Sequence, residues 1–574
     1  MAQRTCKPTE ASSMPSPLTG RKKMHRAGFA LVRCCGQGEN TRVSRSLKNI
    51  GIVSGATVVS RVLGLTRDIL VTAIFGTGAL ASAFVTAFTL PNLFRRLLGE
   101  GALTAAFVPT LSDELAQRQY PGAFALLNQV TSWLAAVTLG IVVACMVALV
   151  AVADATWLGR VTDDVDQIAR WRVAAELAVL LFPYLVMVCL AAAFSAALQT
   201  IGRFLAPAVS PIWLNLAMIG FLGGAVWWGG VELDRARMHW LCVGVLVGGF
   251  LQMAVPALSL MRVGWRPRVD FSLSPAVRAI LVLMGPTVLG SAIYLINLSV
   301  SRLIGLSLND SAAAILNLAT RLIELPIGVF AIAVSTVVFP LISSYAAKGD
   351  WSNLARAYHK GMRLILAVNV PAAAGMVLLA GPIIRVLFQR GEFRAEDTAS
   401  MIPVLSVFAL GLPIFAYVNL MLRAFYARKD MRTPVHAALL SFVVNVALSF
   451  LLMGPLSTMG LALASNVSVL VQAIYLQRAL TKERPELGFE AVIKDVAKIL
   501  LATVVMSLGV FAGARGMSDL LGAGIGSDLG QLLVLVPVGA VLYGAMVWML
   551  RLEGREDLAG ILRRRFKKSA KQGV

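Results

Sequence analysis

The chain reads as an all-α polytopic membrane protein of about 14 transmembrane helices, built as two six-helix lobes plus two C-terminal helices. Three observations carry that expectation. Of its 574 residues 57% are hydrophobic and only 14% charged, the balance of a multi-span membrane protein rather than a soluble domain. Uncharged runs that meet the roughly 20 residues needed for one span recur along the whole sequence. Basic residues collect in alternate turns, as they do in loops kept on the cytoplasmic side.

In chain order, residues 1–45 are rich in Ser, Pro, Gly and Arg and lack an apolar run long enough for a signal-peptide core. They are expected to form a disordered basic cytoplasmic extension, or to lie upstream of the start codon in use. The first lobe is expected over 46–265, with helices near 47–75, 79–114, 123–153, 169–199, 204–229 and 239–262. The second is expected over 266–485, with helices near 276–306, 311–346, 352–381, 397–427, 433–453 and 458–480. Thr433–Gln477 holds no Asp, Glu, Lys or Arg and is too long for one pass; Gly454-Pro455-Leu456-Ser457 divides it. Helices near 491–514 and 528–552 fill residues 486–553, and 554–574 form a basic cytoplasmic tail.

The net charge of +22 suggests nucleic acid until its distribution is read. Residues 1–48 hold ten Lys/Arg against two Glu, and residues 551–574 hold eight against three acids. Arg203, Arg262, Arg266, Arg268, Arg428, Lys429, Arg432, Arg478, Lys482 and Arg484 mark the even-numbered turns. The odd-numbered turns are neutral, mixed or acidic, as in Asp163-Asp164-Val165-Asp166. Both termini are therefore expected in the cytoplasm of a multi-pass protein of the cytoplasmic (inner) membrane. The basic excess serves topology and anionic headgroups, and no nucleic-acid partner is expected. The six cysteines set out no disulfide framework: Cys6, Cys34 and Cys35 sit in the tail, and Cys145, Cys189 and Cys242 sit singly in apolar spans.

Four arginines, Arg61, Arg67, Arg95 and Arg321, fall inside these spans. Each costs about 2.5–3.5 kcal/mol at a bilayer centre on insertion scales. A fold most easily retains them facing a wet cavity that holds an anion. Arg61 lies about 21 Å along helix 1 at 1.5 Å per residue. Arg67 and Asp68 follow beyond Gly64, where a bend brings both arginines to one cavity; the competing reading has Asp68 neutralise an arginine and lock helices together. Pro91 precedes Arg95 by one turn and bends helix 2. Arg95 and Arg96 diverge by roughly 100° on an α-helix, so Arg95 is expected to face the cavity and Arg96 to snorkel or pair with Glu100. Arg321 has Glu324 one turn on, as a tether or a plain ion pair. Arg302, Arg170, Arg172 and Glu176, near helix ends, are expected at the interface.

A guanidinium fork binds phosphate oxygens bidentately and stays charged, so a phosphate-bearing anionic substrate is expected. Repeat evidence is modest: Thr320-Arg321, Glu324 and Phe339-Pro340 echo Arg95, Glu100 and Phe107-Val108-Pro109. Ser301-Arg302-Leu303-Ile304-Gly305-Leu306 echoes Ser60-Arg61-Val62-Leu63-Gly64-Leu65. No catalytic constellation, metal-ligand spacing or phosphate-binding loop is seen. A transporter rather than an enzyme is expected, with no cofactor and no metal.

The segments Ser60–Asp68, Leu90-Pro91-Asn92-Leu93-Phe94-Arg95-Arg96, Glu100-Gly101-Ala102, Ala106-Phe107-Val108-Pro109, Phe388-Gln389-Arg390-Gly391-Glu392-Phe393 and Ala424–Asp430 with Thr433-Pro434 resemble the MurJ (MviN) lipid II flippases. The resemblance runs from about residue 46 to 555 and places the chain near the multidrug/oligosaccharidyl-lipid/polysaccharide exporter superfamily. It implies two lobes around a cationic cavity, with the last two helices forming a groove for the lipid tail. It also implies substrate contacts from Arg61, Arg67, Arg95 and Arg321, with Ser60, Asp68, Asn92, Glu100 and Glu324 supporting or gating. Many relatives carry acids at the positions of Ser82 and Thr320, so this cavity is more positive.

The implied activity is flipping of lipid II, a polyprenyl-diphosphate-linked disaccharide peptide, by alternating access for cell wall synthesis. The implied partners are lipid II, membrane lipids and the cell wall synthesis machinery. Two alternatives share the superfamily: a flippase for another polyprenyl-diphosphate saccharide, and a multidrug exporter, whose cationic drugs favour carboxylates. A membrane enzyme acting on lipid phosphates is the reading from a different class.

Overall fold

The computed structural model describes residues 51–97, 103–153, 162–227, 234–428, 430–522 and 524–553, and every regular element among them is helical. The expected N-terminal extension (1–45) and C-terminal tail (554–574) lie outside the described residues. The helices are α1 (51–75), α2 (Ala79–Phe94), α3 (Leu103–Ala153), α4 (Val165–Leu181), α5 (Tyr184–Thr200), α6 (Leu205–Trp227), α7 (Asp234–Met261) and α8 (Pro275–Leu308). They continue with α9 (Ala312–Lys348), α10 (Trp351–Leu378), α11 (Ala380–Phe388), α12 (Ala395–Ala427), α13 (Arg432–Glu483), α14 (Ile493–Leu521) and α15 (Ile525–Met549).

Eight helices among the described residues are long and apolar enough to cross a membrane, nine if the bent pair α4–α5 counts as one span. The remaining passes follow from the breaks. α13 is 52 residues long and leaves helical geometry at Ser457 (φ 49°), beside the expected Gly454-Pro455 divide, so it supplies two passes. α3 breaks at Gln119 (φ 56°); its first part continues the pass begun by α2, and its second part is the next. α1 is long enough to cross but less apolar, because Arg61, Arg67 and Asp68 crowd its middle. With α8 and α9, these account for the fourteen passes the sequence predicts.

Two expected helices differ: the one near 169–199 is the bent pair α4–α5, and the other breaks in its middle. The span near 79–114 is interrupted: α2 ends at Phe94 and widens into a π-turn over 95–97. Pro91, buried inside α2, removes a backbone N–H and crowds the carbonyl one turn earlier, and such a site commonly relaxes into a wider turn.

The apolar core falls into three main groups. One runs from Ala83 through Phe182 and Leu241 to Leu306; a second joins Tyr358, Phe425 and Leu476 to Ile499 and Val547; a third joins Ile315, Phe388 and Leu405 to Leu461. The connector 262–274 between α7 and α8 is laid along α3. Asn128 Oδ1 accepts from Trp265 Nε1 at 2.9 Å and its Nδ2 donates to Arg266 O at 3.2 Å. Asp270 N donates to Ser132 Oγ, Trp133 Nε1 to Phe271 O and Ser274 Oγ to Gln129 Oε1.

The hydrogen bonds that join residues 51–270 to residues 306–553 gather at one end of the bundle, apart from one in its middle. Glu392 N donates to Ala73 O at 2.9 Å, and the Thr77 hydroxyl donates to the Asp397 carboxylate. Ser82 Oγ accepts from Ala314 N at 3.2 Å. Arg170, expected at the interface, is instead buried here: Nε donates to Leu306 O at 3.0 Å and Nη1 pairs with Asp310 at 2.9 Å. A carbonyl at a helix C-terminus suits a cation, which rewards burial over snorkelling. The opposite end carries the basic turns.

Candidate functional site

Between these contacts and the basic end lies a cavity of about 940 Å³. It stretches from Gly76, Ala81 and Ala314 at the closed end to Gln199, Pro207 and Asn419 toward the basic end. Of the nine predicted site residues, eight line it: Ser60, Arg61, Arg67, Asp68, Asn92, Arg95, Arg321 and Glu324. Glu100 lies outside the described residues.

The eight do not stand in equivalent environments. Arg67 is buried, its side chain 10% exposed beside Asp68 at 11%. Its Nη2 meets Asp68 Oδ1 at 2.6 Å, its Nε reaches the same oxygen at 3.0 Å, and its Nη1 donates to Asn215 Oδ1 at 3.0 Å. Asn215 Nδ2 in turn donates to Ser60 O at 3.2 Å, so α6 grips α1 through one amide. Asn215 was not anticipated; its signal was a lone amide in an uncharged span, which usually bonds across helices.

Asp68 also reaches across the cavity to α9, where Arg321 Nε donates to its Oδ2 at 3.1 Å. Arg321 Nη1 meets Glu324 Oε2 at 3.4 Å. Arg321 remains 43% exposed, so much of its guanidinium faces the cavity. On α2, Arg95 Nε donates to Asn92 Oδ1 at 3.1 Å, and Asn92 Nδ2 donates to Phe88 O at 3.0 Å. Arg61 is exposed into the cavity with no hydrogen-bond or ion-pair partner among the described residues.

Two further arginines join them against expectation. Arg96 lines the cavity beside Arg95. Both fall in the π-turn at 95–97, outside the regular α-helix on which the expected divergence rests. Arg302 of α8, expected at the membrane interface, also lines it. The lining therefore carries six arginines, no lysine and two carboxylates, a formal +4. Of the two positions where the sequence departs from an acid, Ser82 closes the shut end through Ala314, and Thr320 lines the cavity with its hydroxyl turned back onto Leu316 O at 2.6 Å.

Such a chamber can hold a polyanion. Guanidinium groups from α1, α2, α8 and α9 surround a wet volume in which an anion is less screened than in bulk water, and each fork can take two oxygens. Among the described residues no group of His, Cys, Asp and Glu is placed to hold a metal ion.

Comparison with known proteins gives consistent neighbours. The family model for "Lipid II flippase MurJ" matches residues 71–522. A probable lipid II flippase MurJ of Rhizobium tropici is 33% identical over 526 residues, covering 91% of this chain and 97% of the relative. The Vibrio cholerae protein of the same description is 30% identical over 89% of this chain and 97% of its own length. Among solved structures, a lipid II flippase MurJ in an inward closed conformation shares the fold at TM-score 0.70 and 24% identity, covering 87% of this chain and 99% of that one. An inward-facing multidrug transporter of the MATE family superposes at TM-score 0.60 with 15% identity, over 74% and 96% of the two chains.

Proposed function

The chain belongs to the lipid II flippase MurJ family, and from that premise we propose that it carries lipid II across the cytoplasmic membrane by alternating access, for peptidoglycan synthesis. It is a transporter, not an enzyme. The observation that carries this reading is the cavity's composition: six arginines against two carboxylates in one chamber. A cationic drug would meet a formal +4 there, which disfavours the multidrug alternative.

In this reading Arg61, Arg95 and Arg321 grip the diphosphate. Arg67 and Asp68, with Asn92 and Glu324, hold that set in place. Buried Arg67 therefore supports the site more than it contacts cargo. The basic end faces the cytoplasm with both chain termini, and the cavity is open to the side where lipid II is made. Residues 46–265 and 266–485 are the two rocking lobes. The contacts of Ala73, Thr77 and Ser82 form the outer seal, and α14–α15 flank the polyprenyl tail. An inside-negative potential favours outward movement of the anion by about 2.3 kcal/mol per charge per 100 mV.

The test is flipping of labelled lipid II in proteoliposomes. Arg61→Ala, Arg95→Ala and Arg321→Ala each are expected to lower transport at least tenfold at normal membrane abundance. Arg61→Lys is expected to restore part of it, because charge returns without the planar fork. Wild-type rates from all three alanine variants would overturn the assignment of the site. A wild-type protein that moves no lipid II would overturn the function.

A further inference from the structure

The lining arginines separate by depth. Counting from the closed end at 1.5 Å per residue, Arg302, Arg67 and Arg321 lie about 9–14 Å in, and Arg61, Arg95 and Arg96 about 21–26 Å in. The deeper-set tier near the seal contains three arginines and both carboxylates of the cavity, Asp68 and Glu324. Those carboxylates are already engaged: Asp68 bonds Arg67 and Arg321, and Glu324 bonds Arg321. One guanidinium charge is left over. Arg302 lies within electrostatic reach of Glu324, Arg321 and Arg96, yet it makes no hydrogen bond or ion pair among the described residues.

The sequence echo gains meaning here. Ser60-Arg61 and Ser301-Arg302 are the same dipeptide on α1 and α8, and all four residues line the one cavity. Both arginines line it without a hydrogen bond or ion pair among the described residues. A structural arginine at this depth would be bonded to a carboxylate or a carbonyl, as Arg170 is to Leu306 O. Arg302 has the surroundings of a residue awaiting an anion.

We propose that Arg302 is a further substrate-binding residue, whose guanidinium takes an oxyanion of the cargo headgroup near the sealed end of the cavity. The inference rests on the lipid II reading above. The oxyanion has two sources in that cargo, the diphosphate and the carboxylates of the peptide, and both offer the same paired-oxygen geometry to the fork.

The experiment measures equilibrium binding by full-length protein in nanodiscs, wild type against Arg302→Gln. Three probes are used: undecaprenyl diphosphate, lipid II with free peptide carboxylates, and lipid II with those carboxylates amidated. The variant is expected to bind natural lipid II about tenfold more weakly, the loss of one charge-assisted contact. A matching loss on all three probes assigns Arg302 to the diphosphate. A loss confined to the probe with free carboxylates assigns it to the peptide. Unchanged affinity for every probe overturns the proposal. Absence of lipid II binding by wild type instead overturns the function on which it rests.

A second measurement needs no variant: lipid II is expected to slow phenylglyoxal modification of Arg302 in wild-type protein, read by peptide mass. Equal modification with and without lipid II would count against the contact even if Arg302→Gln failed to fold.

Discussion

Asp68 Oδ2 accepts a hydrogen bond from Nε of Arg321, 253 positions along the chain, at 3.1 Å, while its Oδ1 holds Arg67 at 2.6 Å. One carboxylate thus joins α1 to α9 across the cavity and compensates a buried cation on its own helix. Removing one partner of a buried pair costs about 3–5 kcal/mol, because the other is stranded. Asp68→Ala is therefore expected to lower the melting temperature and the membrane abundance together. Asp68→Asn keeps one acceptor oxygen but turns its NH2 donor toward the other arginine, so it is expected to lose only slightly less. Differential scanning fluorimetry on the purified variants reads both.

The closed end depends on a backbone fit. Gly391 has φ +60°, and a Cβ there would land on Ala73 O; Gly76 has φ +60°, and a Cβ there would sit 2.8 Å from Glu392 O. Two left-handed turns interlock where only glycine fits, and a side chain in that conformation costs about 1–2 kcal/mol before any clash. Gly391→Ala is expected to weaken the seal rather than the fold. In an Ala81→Cys background, which marks the buried cavity wall, thiol labelling from the closed side should rise about tenfold with Gly391→Ala, the change expected for about 1.4 kcal/mol.

The α14–α15 hairpin is clamped by charge. Arg385 of α11 meets Asp528 of α15 through two bonds, Nε to Oδ2 at 2.7 Å and Nη2 to Oδ1 at 2.6 Å. Asp528 is buried, but Arg385 is 37% exposed, so water screens part of the pair. Asp528→Ala is expected to destabilise by about 1–2 kcal/mol, visible as a lower melting temperature. Arg385→Ala should cost more than Asp528→Ala, because it strands the carboxylate in the buried position.

Asp350, in the turn before α10, accepts from Asn353 Nδ2 at 2.5 Å and from Asn353 N at 3.1 Å. These bonds hold its carboxyl below the usual carboxylate value of 3.8. A depressed folded-state value means that the capping contribution is complete above about pH 4 and is lost as pH falls through the lower folded value. Amide exchange at Asn353 and Leu354, corrected for intrinsic rates, is expected to accelerate below that point. Asp350→Asn should remove the pH dependence.

Much of this architecture was legible in the amino-acid order, because a bilayer admits few solutions. Uncharged runs became helices, Gly454-Pro455 sits beside the break at Ser457, and the insertion cost of arginine singled out Arg61, Arg67, Arg95 and Arg321 before any contact was known. What escaped was the direction of side chains near a departure from ideal helix. Arg96 falls in a π-turn that local sequence does not announce, and Arg302 and Arg170 sat too near helix ends for sequence to separate interface from interior. Arg67 illustrates the other limit: burial cost marks an arginine as important without saying whether it meets cargo or holds the wall. Asn215, the amide that decides this for Arg67, lies 148 positions away, beyond any local pattern.

The connector along α3 has one last consequence. With Asn128, Gln129, Ser132 and Trp133 all bound to residues 265–274, the stretch behaves as a splint. A cut in its middle would leave both stumps docked, and any flexing during turnover passes to the long helix that follows it.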